Sequence, residues 1–205
     1  MYHIKNDKRA QTSAELICAG LLACMREKPF ARITITDVQR ASTVSRSTFY
    51  RNFDGLEDVL ALLCDRGFQT VFAAYNALPA VQRGNLPKAV FHYWFHNSAV
   101  LEALVQIHRT DILSDSLRRS TGLIEALRPL TDDRAQFDYF AAIIASGMIG
   151  VLTVWVEHGK TETEAQMVQK LAGAFAEMAL LSPFTAQCAC RSRRAWRPVP
   201  ARARR

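Results

Sequence analysis

The sequence has few of the residues that break helices. Nine Gly and seven Pro occur among 205 residues, so long helices are favoured over a many-stranded sandwich with frequent turns. The hydrophobic share of 49% and the charged share of 22% argue against wholesale disorder and against a collagen-like repeat. The length allows one large domain or two small ones, with enough residues for a buried core.

The five cysteines lack a disulfide or zinc pattern. Cys18, Cys24 and Cys64 fall within helical patterns, and Cys188 and Cys190 form a lone Cys-Ala-Cys. Zinc modules usually carry two Cys-x-x-Cys pairs, or one such pair with two histidines. We therefore expect no structural metal and no cofactor. The polar start of the chain lacks the apolar core of a signal sequence, which makes a reducing cytoplasm the simplest expectation.

Charge is distributed unevenly. Residues 1–54 hold nine Lys/Arg against five Asp/Glu, residues 55–187 hold ten against fourteen, and residues 188–205 hold seven Arg and no acid. The chain thus has a basic head, an acidic middle and a very basic tail. This asymmetry favours a polyanionic partner, either nucleic acid or an anionic membrane surface.

One uncharged run, Tyr139 to Val156, is eighteen residues long, the lower edge of transmembrane length. Its flanks are acidic (Asp138 and Glu157) and no Lys or Arg anchor sits beside either end. We therefore expect a buried helix and no membrane partner. Small residues along the run would let helices approach closely, so the last two long helices are predicted to form a two-fold homodimer. The predicted interface residues are Ala141, Ala145, Met148, Leu152 and Trp155.

Apolar spacing predicts an all-α chain of about nine helices. The first runs from Lys8 to Arg26, and a long helix extends from Leu56 to about Leu78. Segments 89–108 and 112–130 are each predicted as one or two helices, the former with a joint near Asn97, and 82–87 as a loop. Two long helices, 137–157 and 163–181, follow; residues 183–205 are predicted to be a disordered basic tail.

Two short helices are predicted between the amphipathic first helix, which ends at Arg26, and the long helix that begins at Leu56. Thr36 and Gln39 have capping-box spacing, so Thr36 is predicted to cap the first of them. Ser45 is predicted to cap the second, after a break of about three residues at Thr43. Two short helices joined in this way, within a basic segment, are typical of a helix-turn-helix.

The residues Ile35–Arg40 and Val44–Phe53, ahead of Glu57–Val59, resemble the DNA-binding domain of the TetR family of bacterial transcription regulators. The string Val-Ser-Arg-Ser-Thr-Phe-Tyr-x-x-Phe carries most of this resemblance. A second one covers about Phe91–Lys170, including Gly147–Gly150, and is to the C-terminal domain of a subgroup associated with dihydroxyacetone kinase operons. Together the two resemblances imply a helix-turn-helix domain in residues 1–54 and a helical regulatory and dimerisation domain in residues 55–182, followed by the tail.

A recognition helix needs donors that reach phosphates and base edges from its exposed face. Arg can read guanine bidentately, short hydroxyls and Tyr can reach phosphate, and Asn can do so or read adenine. Phe49 and Phe53 are expected to lock the helix onto the core. The predicted DNA-binding residues are Thr34, Thr36, Ser45, Arg46, Ser47, Thr48, Tyr50, Arg51 and Asn52.

This chain departs from the TetR pattern at two positions. Thr43 stands in the turn where the family usually has Gly or another small or polar residue, and a β-branched residue is strained there if the position needs a positive φ. Leu56 stands at the start of the fourth helix, where the family often has a phosphate-binding Lys. One phosphate contact per subunit is therefore expected to be missing.

The middle of the chain offers no convincing catalytic set, so we expect no enzyme activity. His92 and His96 are four apart but lack the third ligand of a metal site. In TetR-like proteins the central helices surround a cavity, so the resemblance implies a small-molecule effector; a protein partner is the alternative. The function expected is a repressor acting on a palindromic operator. Candidate pocket residues are Phe72, Tyr75, Phe91, Trp94, Phe95, His96, His108, Phe137 and Phe140.

Overall fold

Buried apolar stripes along successive helices build the fold. The computed structural model describes residues 2–79, 86–120 and 134–181. Within those ranges the chain is all-α, as predicted, with nine α-helices and one 3-10 turn, Phe30–Arg32. The helices are α1 Lys8–Glu27, α2 Ile35–Ser42, α3 Arg46–Asn52, α4 Leu56–Ala77, α5 Leu86–His96, α6 Ser98–Gln106, α7 Thr110–Ser120, α8 Arg134–Glu157 and α9 Glu164–Leu181.

The chain forms two compact units. The first extends from Met1 to Thr161, and the second begins at Glu162 and contains α9. The first unit contains both the helix-turn-helix segment and helices α4–α8, so the predicted boundary at residue 54 stays a prediction. Most of the predicted loop 82–87, residues 121–130, and the predicted tail 183–205 with Cys188 and Cys190 lie outside the described residues.

Helix α1 is the base on which the two short helices pack. Asp7 caps it by accepting a hydrogen bond from the backbone N of Ala10 at 2.8 Å. Its inner face buries Ile17 and Leu21 completely. Gly20 lies where α2 crosses, since a Cβ there would come within 2.8 Å of the Cβ of Ser42. The absence of a side chain at Gly20 therefore permits the close approach of α1 and α2.

The thiol of Cys18 lies in this same core. Burial raises its pKa to about 11, which keeps the thiol protonated and unreactive at neutral pH. Cys18 therefore acts as a small core hydrophobe.

Helix α4 connects the short helices to the rest of the first unit. It buries Leu60 and Phe68 and packs against α5, α6 and α7. Phe68 lies 5.3 Å from the ring of Trp94 on α5 in an edge-to-face arrangement. The joint predicted near Asn97 is present, because α5 ends at His96 and α6 begins at Ser98.

Helix α8 contains the long uncharged run and is exposed along one side. Among the described residues, Phe137–Glu157 is the one segment long and apolar enough to cross a membrane by length and composition, and a third of that stretch is buried. One side of α8 packs against α5, α6 and α7. On the opposite side Tyr139 and Ile143 are 75% and 69% exposed, and Val154 is also exposed.

This packing corrects the predicted dimer interface. Its five residues are all buried within the chain itself, with exposed fractions between 1% and 8%: Ala141, Ala145, Met148, Leu152 and Trp155. They lie on the inner face of α8, so they are core residues of one chain. The prediction was wrong about the face because a run that is apolar on all sides has no periodicity to show which side faces inward.

Candidate nucleic-acid interface

Helix α2 begins at a capping box two residues earlier than predicted. Thr34, and not Thr36, is the N-cap: its hydroxyl accepts from the backbone N of Asp37 at 3.2 Å, and the Asp37 carboxylate accepts from the backbone N of Thr34 at 2.7 Å. Thr36 is an exposed residue in the first turn. Asp37 satisfies the capping box as well as the Gln39 that the spacing suggested, because a short carboxylate also reaches the N-cap amide.

Asp37 also binds the end of α1. The ammonium of Lys28 lies 2.7 Å from its carboxylate. That contact and the hydrogen bonds from Thr34 hold the pKa of Asp37 well below its ordinary value. Lys28 is thereby paired within the protein, which fixes the start of α2 relative to α1.

The turn between α2 and α3 is strained at one residue. Thr43 has φ 57° and ψ 16°, the left-handed region that favours glycine. The Ser42 hydroxyl, which is buried, accepts from the backbone N of Val44 at 3.3 Å. This confirms that position 43 requires a positive φ.

Helix α3 is capped by Ser45, as predicted. The Ser45 hydroxyl accepts from the backbone N of Thr48 at 3.3 Å, and it lies 3.1 Å and 2.9 Å from the hydroxyls of Ser47 and Thr48. Three hydroxyl groups are therefore gathered at one end of α3.

The inner face of α3 is aromatic. Phe49 and Phe53 are fully buried, with ring centroids 5.7 Å apart, and α3 packs against α1 and α2. These side chains fix the rotation of the helix, so its remaining face is directed away from the core.

The outer face of α3 carries a guanidinium held by an aromatic ring. The Arg46 Nη2 donates to the Tyr50 hydroxyl at 3.3 Å, and the guanidinium carbon lies 5.4 Å from the ring centroid. Arg46, Tyr50 and the neighbouring Arg51 are exposed, as are Ser45 and Ser47. Stacking limits the freedom of the Arg46 side chain while leaving guanidinium N–H groups available to an acceptor.

One predicted contact residue does not share this face. Asn52 is 2% exposed, and its side-chain amide donates to the backbone O of Thr48 at 2.8 Å. The structure therefore assigns Asn52 to the internal support of α3. Sequence spacing misplaced it because Asn52 lies three residues after Phe49, on the buried side. Leu56, where a phosphate-binding Lys was expected in the family, is partly buried at the first position of α4.

A cavity lies between the central helices. It has a volume of about 90 Å³. Its lining is apolar and comes from α4, α5, α7 and α8: Phe72, Leu86, Pro87, Val90, Leu117, Phe140, Ala141, Ile144, Ala145 and Met148.

Of the predicted pocket residues, Phe72 and Phe140 line this cavity and the others do not. Trp94 and Phe91 are buried in the packing of α5, and the Phe95 ring lies 4.0 Å from that of Trp155. Tyr75 is buried and Phe137 is partly buried elsewhere.

The two histidines proposed as polar pocket groups are exposed. His96 has its Nδ1 2.8 Å from the backbone O of His92, and His108 occupies the turn after α6 with φ 56°. Aromatic and histidine content therefore predicted the neighbourhood of the cavity and not its wall. In the described parts of the chain, no three His, Cys, Asp or Glu side chains are grouped as metal ligands.

Family comparisons bear on the same two regions. Residues 87–176 match the TetR_C_8 family, described as a transcriptional regulator C-terminal region. No curated protein matches the sequence significantly. Among solved structures, Lin0861 from Listeria innocua is similar with a TM-score of 0.67 at 17% identity, over 86% of this chain and 96% of that one. A TetR transcriptional regulator from Streptococcus agalactiae is similar with a TM-score of 0.50 at 20% identity, over 80% and 93% of the two chains.

The match of residues 87–176 and the fold shared with these structures support membership of the TetR family of transcriptional regulators. A third similar structure is the dihydroxyacetone kinase operon activator DhaS, with a TM-score of 0.53 at 14% identity, over 82% of this chain and 97% of that one.

Sequence reasoning missed the segment ahead of α1. The backbone N of His3 donates to the backbone O of Asn52, the last residue of α3, at 3.0 Å. The short polar start gave no periodic signal, so nothing in its pattern indicated a contact with α3.

Proposed function

We propose that this TetR-family regulator binds an inverted-repeat operator and represses transcription from it. The outer face of α3 carries the proposal, since Arg46, Tyr50, Ser47 and Arg51 are exposed on a helix whose other face is fixed by buried aromatic rings. Such a helix in the major groove would place a stacked Arg within reach of guanine acceptors and hydroxyls within reach of phosphate. Thr34 and Thr36, both exposed, would lie at the other wall of the groove.

A homodimer is the second element of the proposal. The exposed side of α8 presents Tyr139, Ile143 and Val154, and apolar area of this kind is stabilised when another surface covers it. A second copy of the chain is the occupant that also accounts for a palindromic site, because two-fold symmetry sets two recognition helices about one DNA turn, ~34–36 Å, apart.

The cavity supports regulation by a small apolar effector. Its wall includes Phe72 of α4, and α4 begins four residues after the end of α3. A second route leads from α7 to α4, since Arg109 just ahead of α7 binds Glu57 in the first turn of α4 and Asp111 at 2.9 Å. An effector that separates α4 from α8 would therefore act on the helix that directly follows α3 in the chain.

Control by a protein partner is the alternative. A cavity of about 90 Å³ is small beside the ~300–1,000 Å³ of drug-sized ligand sites, which favours this alternative. The similar DhaS is named as an operon activator, so in this reading the regulator would activate transcription.

Two measurements distinguish the small-molecule effector from the protein partner: thermal shifts with small apolar metabolites, and capture of a defined partner. In either case we expect a cytoplasmic, non-enzymatic protein.

Selection of bound DNA from a random pool tests operator binding. We expect an enriched palindrome, and Arg46→Ala should weaken binding to it by roughly tenfold, because one Arg–guanine contact contributes about 1–3 kcal/mol. Arg118→Ala is the matched control: Arg118 is exposed on α7, where it pairs with Asp115, and its loss should leave affinity unchanged.

Failure to enrich any palindrome would overturn the proposed function. If Arg46→Ala and Arg118→Ala lose affinity equally, the loss reflects only the removal of a positive charge. That result would contradict the proposal that α3 contacts the bases.

A further inference from the structure

Two adjacent residues ahead of α1 contact two different parts of the protein. The Tyr2 hydroxyl donates to the Asp65 carboxylate on α4 at 2.5 Å. His3, the next residue, donates its backbone N–H to the O of Asn52 at 3.0 Å, and its ring Nε2 lies 3.5 Å from the Asp54 carboxylate. One peptide bond therefore joins a contact on α4 to a contact at the carboxyl end of α3.

The contact on α4 belongs to a buried polar cluster. Asp65 is 6% exposed, and its Oδ1 accepts from the Ser116 hydroxyl and from the Arg119 Nη2, the latter at 2.9 Å. Both of these residues are on α7. Tyr2, Asp65, Ser116 and Arg119 thus form a set, here called the Asp65 cluster, that joins the N-terminal segment, α4 and α7.

The Asp65 cluster is chemically complete. A buried carboxylate is costly unless it is paired and hydrogen-bonded, and here a guanidinium and two hydroxyls supply those contacts. Burial, followed by the hydrogen bond to Asp65, raises the pKa of Tyr2 to about 12, so the phenol stays a donor at neutral pH. Movement of α7 that displaces Ser116 or Arg119 would change the hydrogen-bond partners available to Asp65. It would thereby change the hydrogen bond between Asp65 and Tyr2.

We propose that Tyr2 and His3 are positioning residues for the recognition helix, which fasten the end of α3 to the Asp65 cluster on α4 and α7. Helix α3 otherwise packs mainly on α1 and α2, inside the helix-turn-helix segment. The N-terminal segment therefore supplies a direct connection from a regulatory helix to the reading helix. The inference rests on the proposed function for its effect on operator affinity, and on the structure alone for its effect on α3.

Hydrogen exchange on the full chain tests the structural part without DNA. Tyr2→Phe removes the donor to Asp65 and keeps the ring, so we expect faster amide exchange in residues 49–54 while α1 keeps its protection. Tyr93→Phe is the matched control, because Tyr93 is another partly buried tyrosine and lies on α5. No residues should be added ahead of Met1 in these proteins.

Operator binding tests the functional part. Tyr2→Phe should weaken binding to the selected operator by roughly tenfold or more, the size expected for one lost hydrogen bond to a charged group, and leave binding to scrambled DNA unchanged. Asp65→Asn should act in the same direction, and the double variant should lose less than the product of the two single effects because both break one contact. A purely stabilising cluster would lower the melting temperature without changing the ratio of specific to scrambled binding.

A second variant addresses the other contact. His3→Pro removes the N–H donor to Asn52 and should reproduce the exchange change at residues 49–54, whereas Lys5→Pro should not. Unchanged exchange at 49–54 in both Tyr2→Phe and His3→Pro would overturn the inference. If no operator is found at all, the proposed function fails, and the exchange result still decides whether the N-terminal segment positions α3.

Discussion

Helices α3 and α8 each have a buried face, and they differ in what the other face presents. In α3 the buried face is aromatic, and the outer face carries hydroxyl and guanidinium groups. In α8 the buried face includes Ala145 and Leu152, and the outer face carries Tyr139 and Ile143. One outer face is stable in water, and the other exposes large apolar side chains to it.

This difference indicates two kinds of partner. In the proposed function, the polar groups of α3 would exchange water for phosphate and base contacts on DNA, so α3 would bind reversibly. Contact between water and the apolar side of α8 is unfavourable for as long as that side is exposed. This favours a permanent interface. The reading surface is therefore suited to reversible contact and α8 to constant contact.

The largest expected effect separates the two faces of α8. Ala145→Arg places an unpaired charge where the side chain is 2% exposed, and the cost of about 4 kcal/mol or more should unfold the protein. Ile143→Arg, on the side that is exposed in one chain, should split the dimer and abolish operator binding while helical content stays intact. Light scattering and circular dichroism on both variants measure this contrast.

Three outcomes would contradict the assignment of the faces. A folded monomer from Ala145→Arg would place that residue at the interface after all. An intact dimer from Ile143→Arg would remove the outer side of α8 from it. A wild-type monomer at micromolar concentration would end the dimer proposal.

Local signals predicted the helix-turn-helix segment well. Ser45 caps α3 as the hydroxyl pattern indicated, and Phe49 and Phe53 lie in the core because they are spaced for one helix face. These features depend on residues within a few positions of each other. The exceptions are the cap of α2, which is Thr34 and not Thr36, and Asn52, whose polarity suggested an outer position while its place on the helix is inward.

Long-range features were not accessible to the same reasoning. The orientation of α8 follows from its packing on α6 and α7, and a run without charges carries no marker for it. The sequence analysis did not single out Asp65 of α4, whose partners Tyr2 and Arg119 are 63 and 54 residues away. Contacts across such separations depend on the assembled fold and have no short motif.

An intermediate effect is expected from the basic tail, which contrasts in charge with the acidic middle of the chain. Residues 188–205 carry seven Arg and no acid, so deleting them should flatten the salt dependence of DNA binding and change site preference little. Each charge that engages a phosphate contributes about 0.9 to the slope of log K against log salt. Titrations at several salt concentrations, on the selected operator and a scrambled one, measure the slope.

A full-length variant with the seven tail Arg residues changed to Gln is the matched control for chain length. It should behave like the deletion. An unchanged salt slope in both proteins would show that the tail takes no part in binding.

The smallest expected effect concerns the turn that sets the angle between α2 and α3. Thr43 is exposed and holds φ 57°, a conformation that costs a non-glycine residue roughly 1–2 kcal/mol. Glycine adopts it freely but loses more backbone entropy on folding. Thr43→Gly should therefore stabilise the protein by about 1 kcal/mol, measured by chemical denaturation, and leave operator affinity unchanged. Thr70→Gly, at an exposed position within α4, should instead destabilise it by ~0.3–0.5 kcal/mol, because glycine is a poorer helix former than threonine. If both variants lose stability, the left-handed turn at Thr43 is compensated by its surroundings and stores no strain between the two DNA-binding helices.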